Sequence, residues 1–506
     1  MTARAWYLFA CLVSGLGCND TNHPSDSAAD SGTDKDAMSA EHDASMGDAG
    51  GAFVPDSRRC PDGVFKGDYT ISDSEDAQAI SGCTTVSGSL RVDAPSLQAL
   101  NLPLLTKVTG SFEVTGHALT GLSLKALATV DGTLAISGTA LESVALGALT
   151  TVSGDFKVGD NLVGYDNPML ASLSLPALTS VAGTFKVAYG GKLTSLSVPS
   201  LATVNGALSV FENPVLTSIR LPALTTVGGN FSLNGNVALT VLETSLLANI
   251  GGDIQISKTA LSDFSVLLLE TVHAEISVSD NSTLTSLTMP KLKTVGDEKE
   301  SGAVRISFNP KLTSVNLPLL TTVSGGLIVG IGNAALRSLS VPALTKVSGL
   351  FMVDGSDALS SLSVPALATV GDFKLGPFGN ETLNSFSIPL LTKVSGDFSI
   401  VGNTVLASFG VPMLTTVGGD FSVSGNLGLD NVDLPLLATI DGNFGVNGNW
   451  SLIGIKLPRL SNIGGNVLVS ENTILKDCIV QALIAQLIGF TGTKTITNNA
   501  GTGTCP

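Results

Sequence analysis

This chain is poor in charge, in aromatic rings and in histidine. Only 13% of its 506 residues are charged and 5% are aromatic, and it has four His and two Trp. Lys and Arg total 26 against 42 Asp and Glu, for a formal charge of −16. That balance argues against nucleic acid, whose binding needs Lys and Arg gathered on one face. His23 and His42 fall in a polar leader segment, and His117 and His273 sit in repeat units about seven apart. With stacked strands ~4.8 Å apart, those two are on the order of 30 Å from each other and cannot share a site. A Ser or Cys nucleophile therefore has no histidine base. No GxSxG, Walker A, Rossmann or EF-hand pattern occurs in a fitting context. After residue 18 no segment has the roughly 20 apolar residues of a membrane-spanning helix. The chain is expected to be non-enzymatic and to use no cofactor or metal. Gly159-Asp160-Asn161 with Asp166-Asn167 offers only two carboxylates to Ca²⁺.

What the chain has instead is a repeat. A 23-residue unit is cleanest from Leu173 to Ser195, reading Leu173-Ser-Leu-Pro176-Ala-Leu178-Thr-Ser-Val181-Ala-Gly183-Thr-Phe185-Lys-Val187 and then a turn. Copies run from an anchor at Ser81 to one at Pro458, mostly 22 to 24 residues apart, with longer steps of 29 before Pro176 and 28 before Pro318. Within a copy, apolar and polar residues alternate with period two, which is a strand signal. Two short strands per copy with no helix between them exclude βαβ units. They predict an all-β parallel β-solenoid (β-helix) of about 17 coils with short helical caps. Six side chains of the clean unit, Leu173, Leu175, Leu178, Val181, Phe185 and Val187, are expected to point inward. The turn after the second strand often reads Asn-x-x-Leu, as at Asn213, Asn236, Asn403 and Asn426. Asn stacked in register predicts a structural ladder of side-chain amides.

The ends differ from the array. Residues 1–18 read as an export signal, with Arg4 before an apolar run that stops at Gly15-Leu16-Gly17-Cys18. That stop resembles a bacterial lipobox, with Cys18 as the lipidated residue; cleavage by an ordinary signal peptidase is the alternative. Residues 19–57 hold nine acids against Lys35; residues 19–58 show no apolar period and are expected to be a disordered acidic linker. Residues 59–92 read as an N-terminal cap and first coil, with a Ser72-Asp-Ser-Glu75 capping box opening a short helix. Residues 93–474 are the solenoid repeats. Residues 475–506 read as a C-terminal helical cap, its apolar face formed by Leu475, Ile479, Val480, Leu483, Ile484, Leu487 and Ile488. Cys60 and Cys83 bracket the start of the array, and Cys478 and Cys505 its end. Pairing within each end, Cys60–Cys83 and Cys478–Cys505, is the simplest arrangement and implies an oxidising compartment.

The Cys-bracketed cap with Tyr69-Thr-Ile71 and Gly82-Cys83-Thr-Thr-Val86-Ser-Gly88 precedes repeats of Leu-x-Ser-Leu-x-Leu-Pro-x-Leu-Thr-x-Val-x-Gly-x-Phe-x-Val. Together they resemble receptor L-domains, and more closely the repeat of fungal cell-wall proteins of that superfamily. The resemblance covers residues 60–475. It implies a right-handed β-helix with leucine-rich-repeat-like coils, and it carries over no catalytic residue.

Two features stand out from the scaffold. The repeat is interrupted at Gly159–Asn167 and at Gly296–Ala303, and loops bulging from a rigid rod are where function tends to sit. Tyr165, Tyr189 and Phe211 fall near one turn on successive coils and form a candidate binding surface for a sugar face or a partner protein. The expected function is a lipid-anchored envelope protein, facing the periplasm or the cell surface from the outer membrane. Its rod would be a binding or structural module for protein or glycan, and its only membrane contact the N-terminal lipid. The alternatives are a carbohydrate-active β-helix enzyme and a ligand-binding receptor-like ectodomain.

Overall fold

The computed structural model describes residues 60–160, 166–297 and 302–500. Its body is a parallel β-solenoid of about 18 turns, and only two α-helices occur among the described residues. Each coil has three short strands. In the clean unit these are Ser172–Ser174, Ser180–Val181 and Phe185–Ala188, and they lay down three walls. Successive coils pair in parallel and in register: Leu173 with Leu196, Val181 with Val204, and Phe185 with Leu208. The second and third walls share one 35-stranded sheet, whereas the first wall is cut into sheets of two to five strands.

The period-two pattern dictates this geometry. Alternate residues of a strand face opposite sides, so each strand sends its Leu, Val or Phe inward and its Ser, Thr or Lys outward. The six predicted inward residues are all buried, Leu173 being the most open at 5%. The Leu of the Asn-x-x-Leu turns is buried too, as at Leu170, Leu216 and Leu406. Repetition in register also stacks like on like. Phe398 and Phe421 lie with ring centroids 5.2 Å apart and planes 6° from parallel, and Phe373 and Phe398 continue the stack at 5.1 Å. Burying each Leu or Phe contributes about 2 kcal/mol, and no coil can bury its residues without its neighbours.

The N-terminal cap adds strands of its own. Val64–Phe65 and Tyr69–Ile71 pair with the second and third walls of the next coil, and this extra turn lies ahead of the 17 anchored copies. The capping box is displaced by one residue. Helix α1 (Ser74–Ala79) is capped by Asp73, whose carboxylate accepts the N–H groups of Glu75 and Asp76. Asp76 in turn accepts from Ser72 N at 3.0 Å. Asp outcompetes Ser72 because an ionised cap accepts both amides more strongly. Cys60 and Cys83 are disulfide-bonded, with Cα atoms 5.6 Å apart.

The C-terminal end departs further from expectation. Helix α2 (Asp477–Ala485) buries Val480, Leu483 and Ile484, but Ile488 is 77% exposed. The helix stops before Ile488, and Gly489 turns the chain at φ +65°. The chain then returns to the rod as a strand, Lys494–Thr497, paired with Val467–Ser470. One helix thus covers part of the last coil, and a further rung extends the third wall. Cys478 is disulfide-bonded; Cys505 lies outside the described residues, as do the signal segment, Cys18 and the acidic linker.

Candidate functional site

The turn after the third wall holds the Asn ladder. Asn213, Asn236, Asn281, Asn309, Asn333, Asn380, Asn403, Asn426, Asn449 and Asn472 are fully buried. Where one Asn follows another, the Oδ1 accepts from the backbone and side-chain N–H groups of the preceding Asn, as Asn236 does from Asn213 at 3.2 Å in both bonds, and Asn213 itself accepts from Gly190 N. Each Nδ2 also donates to a third-wall carbonyl one coil earlier, as Asn236 does to Val210 at 2.8 Å. These amides are consumed by the scaffold. The ladder is continued past the repeats by Asn499, which accepts from Asn472 N at 3.1 Å; its spacing from the array hid it in the sequence. Thr259 stands in for Asn and gives both its N–H and its hydroxyl to Asn281. At Ser356 the N–H reaches Asn380, but the buried hydroxyl has no partner.

A second polar ladder runs along the bend between the second and third walls. Asp155 Oδ1 accepts from Thr184 N at 2.7 Å, Asp253 from Glu275 N at 2.9 Å, and Asp420 from Asn443 N at 2.7 Å. These acids look like solvated turn residues in the sequence, but in the fold each caps an amide of the following coil. The mixture of Asp, Asn, Ser and Thr at that position conceals the ladder from a pattern search.

Of the candidate aromatic surface, Tyr165 lies outside the described residues. Tyr189 and Phe211 do meet, ring centroids 5.4 Å apart and nearly perpendicular. Lys186 Nζ sits 5.2 Å from the Phe211 centroid and pairs with Asp160 at 2.9 Å. This lysine is only 16% exposed, so it covers part of the aromatic surface that a ligand would need. Tyr189 holds φ +53°, on the turn where other coils place Gly235 or Gly402. The structure thus gathers Asp160, Lys186, Tyr189 and Phe211 beside the first interruption. Gly159 there has φ +81°, and Asn167 rejoins the buried ladder by accepting from Thr139. At the second interruption, Gly302 N donates to Ser324 Oγ at 2.9 Å.

Asp354 is a buried carboxyl the sequence did not single out. It is 2% exposed, and Oδ1 accepts from Phe378 N at 3.0 Å. Burial pushes its pKa up to about 6, against the pull of the Phe378, Gly355 and Gly379 amides, and Asp357 pushes the same way. His117 and His273 are both exposed, on different coils. Among the described residues no three His, Cys, Asp or Glu side chains gather as a metal site, and no helix is long and apolar enough to cross a membrane.

No protein-family model matches this sequence, and no curated protein matches it. Among solved structures, a leucine-rich repeat protein from Bacteroides ovatus ATCC 8483, determined at 1.19 Å resolution, is similar over 63% of this chain and 88% of that one. The identity is 13% and the TM-score 0.30. The assignment of a repeat solenoid stands on the strand pairing and register described above.

Proposed function

We propose that this chain is a non-enzymatic cell-envelope protein, tethered through a lipidated Cys18, whose rod is a binding or structural module for protein or glycan partners. The observation that carries the reading is the outward face of the first wall. Ser172, Ser174, Ser195, Ser197, Ser363 and Ser387 are all exposed there, over a core that runs through the stacked coils. A broad hydroxyl-rich face of low charge on a rigid rod suits extended contacts. The Gly15-Leu16-Gly17-Cys18 sequence supports the tether, and the acidic run over 19–58 supports a spacer that self-repulsion extends. The test is metabolic palmitate labelling with surface pull-down. Labelling is expected to be lost in Cys18→Ala, and labelling retained there defeats the anchor. Capture of envelope proteins or glycans is the expected result for the rod. Release of sugars from a polysaccharide panel would replace this reading with an enzymatic one.

A further inference from the structure

A column of glycines runs along the bend after the second wall. The residue two places after the second-wall Val is Gly in coil after coil because a Cβ there points into the preceding coil. A Cβ on Gly206 would lie 2.6 Å from the Gly183 carbonyl carbon, and one on Gly252 2.9 Å from that of Gly229. Such distances are closer than packed atoms tolerate. The bare backbones instead bond to each other: Gly206 N to Gly183 O, Gly229 N to Gly206 O, and Gly252 N to Gly229 O, at 2.9 to 3.1 Å.

The next position is Ala274, and the column stops. Among the described residues no bond joins Ala274 N to Gly252 O, nor Glu270 N to Ala248 O. The equivalent bonds on either side are intact, Ala248 N to Thr225 O at 3.0 Å and Lys293 N to Glu270 O at 2.8 Å. Second-wall pairing narrows to Ile250 with Val272, where both neighbouring steps pair two residues. The first wall breaks at the same step, one sheet ending with Val241–Glu243 and the next starting at Asp263–Ser265. The third wall alone runs through intact, Ile254 pairing with Ile276.

The parted wall forms a groove of about 570 Å³ lined by Thr226, Asn249, Gly251, Glu270, Thr271 and His273. That volume lies within the range of small-molecule sites. The lining offers hydroxyl, amide and imidazole groups, and the unmade rung between Ala248 and Glu270 leaves a carbonyl and an amide of two lining residues. Glu270 is neutralised by Lys293 at 2.8 Å, a pairing that holds its carboxyl below the usual range. A ligand here must be small and uncharged, and must both donate and accept hydrogen bonds at several points. Sugar hydroxyls do this. We propose that the Gly252–Ala274 step is a binding groove for a neutral mono- or disaccharide, opened by the Ala274 side chain. The proposal rests on the binding-module reading above and gives it a location.

The test uses the full chain, calorimetric titration with neutral glucose-, galactose-, mannose- and N-acetylglucosamine-based mono- and disaccharides, and hydrogen exchange. Wild type is expected to bind at least one of them, and His273→Ala and Asn249→Ala each to weaken it about tenfold. Ala274→Gly restores the glycine column, so it is expected to gain amide protection at residues 270 and 274 and to lose binding at least tenfold. The gain in amide protection distinguishes closure of the groove from unfolding. Absence of wild-type binding overturns the groove, as does unchanged binding in Ala274→Gly. Pull-down capture by a wild type that binds none of these sugars leaves the module reading standing while the groove falls.

Discussion

Asn403 takes two hydrogen bonds from Asn380 on a single carbonyl oxygen, one from the backbone N–H at 3.2 Å and one from the side-chain Nδ2 at 2.9 Å. Its own Nδ2 donates to Leu375 O at 3.2 Å, and the residue is fully buried. Asn403→Ala removes the acceptor for two buried donors and the donor for one buried carbonyl. Each buried group left unmet costs about 1–3 kcal/mol. The expected result is a loss of about 3 kcal/mol or more, read as a fall in the denaturant midpoint and as faster hydrogen exchange at the Asn380 amide. Asn403→Thr should cost less, because Thr259 shows that a threonine can occupy a rung.

The glycine column gives a second expectation. In Gly206→Ala the new methyl must displace the Gly183 backbone, whose carbonyl carbon lies 2.6 Å from the added Cβ position. Overpacking of this kind typically costs about 1–3 kcal/mol. A lower thermal midpoint, with exchange quickened at the 183 and 206 amides, is the expected outcome; an unchanged midpoint would show that the coils part without cost.

Much of this was legible in the sequence, and the reason is the register. Spacings of 22 to 24 force each Leu173-like and Val181-like residue over its predecessor, so one unit read correctly fixes the core of nearly all the others. The Asn ladder was legible for the same reason. What escaped were positions where chemistry is shared among residue types or where the repeat ends. The bend ladder mixes Asp155, Asn230 and Ser111, so no single letter recurs. The strand Lys494–Thr497 follows a helix, has no anchor Pro, and has Phe490 where the repeat places Val two residues before its Gly. The aromatic candidate was half legible: Tyr189 and Phe211 touch, but nothing in the spacing shows Lys186 lying over the ring. Ala274 left a visible signal: with Asp372 it is one of two letters that break Val-x-Gly in copies of ordinary length.

Asp354 makes stability depend on pH in an uncommon direction for a carboxyl. Its folded pKa of about 6 lies above its ordinary value of 3.8, so the folded chain holds this proton more tightly than the unfolded one. The resulting stabilisation is complete below about pH 3.8 and is lost as pH rises through about 6. At most it reaches roughly 3 kcal/mol, because each tenfold gain in proton affinity on folding is worth about 1.4 kcal/mol. Thermal midpoints of wild type and Asp354→Asn between pH 4 and 7 separate this group from the other acids. The wild type is expected to lose more stability than the variant across that window, and parallel curves would contradict the burial argument.

Reduction should act locally. The Cys60–Cys83 bond spans 23 residues, and closing a loop of that size is worth about 3 kcal/mol in the chain-entropy model. Cys83→Ser is expected to free the amides of Val64–Phe65 and Tyr69–Ile71 to exchange, while those of Phe398–Val401 stay protected. Uniform loss along the rod would mean that the caps hold the whole stack.

Every rung bond joining one coil to the next lies along the stacking direction, so tension applied end to end bears on coil boundaries directly. A boundary that yields releases about 23 residues, roughly 75–80 Å of extended chain, in exchange for ~4.8 Å of rod. The molecule is therefore a spring with nearly equal steps. Its first yield belongs to the boundary between Gly252 and Ala274, where the first wall is broken and the second is paired at a single residue.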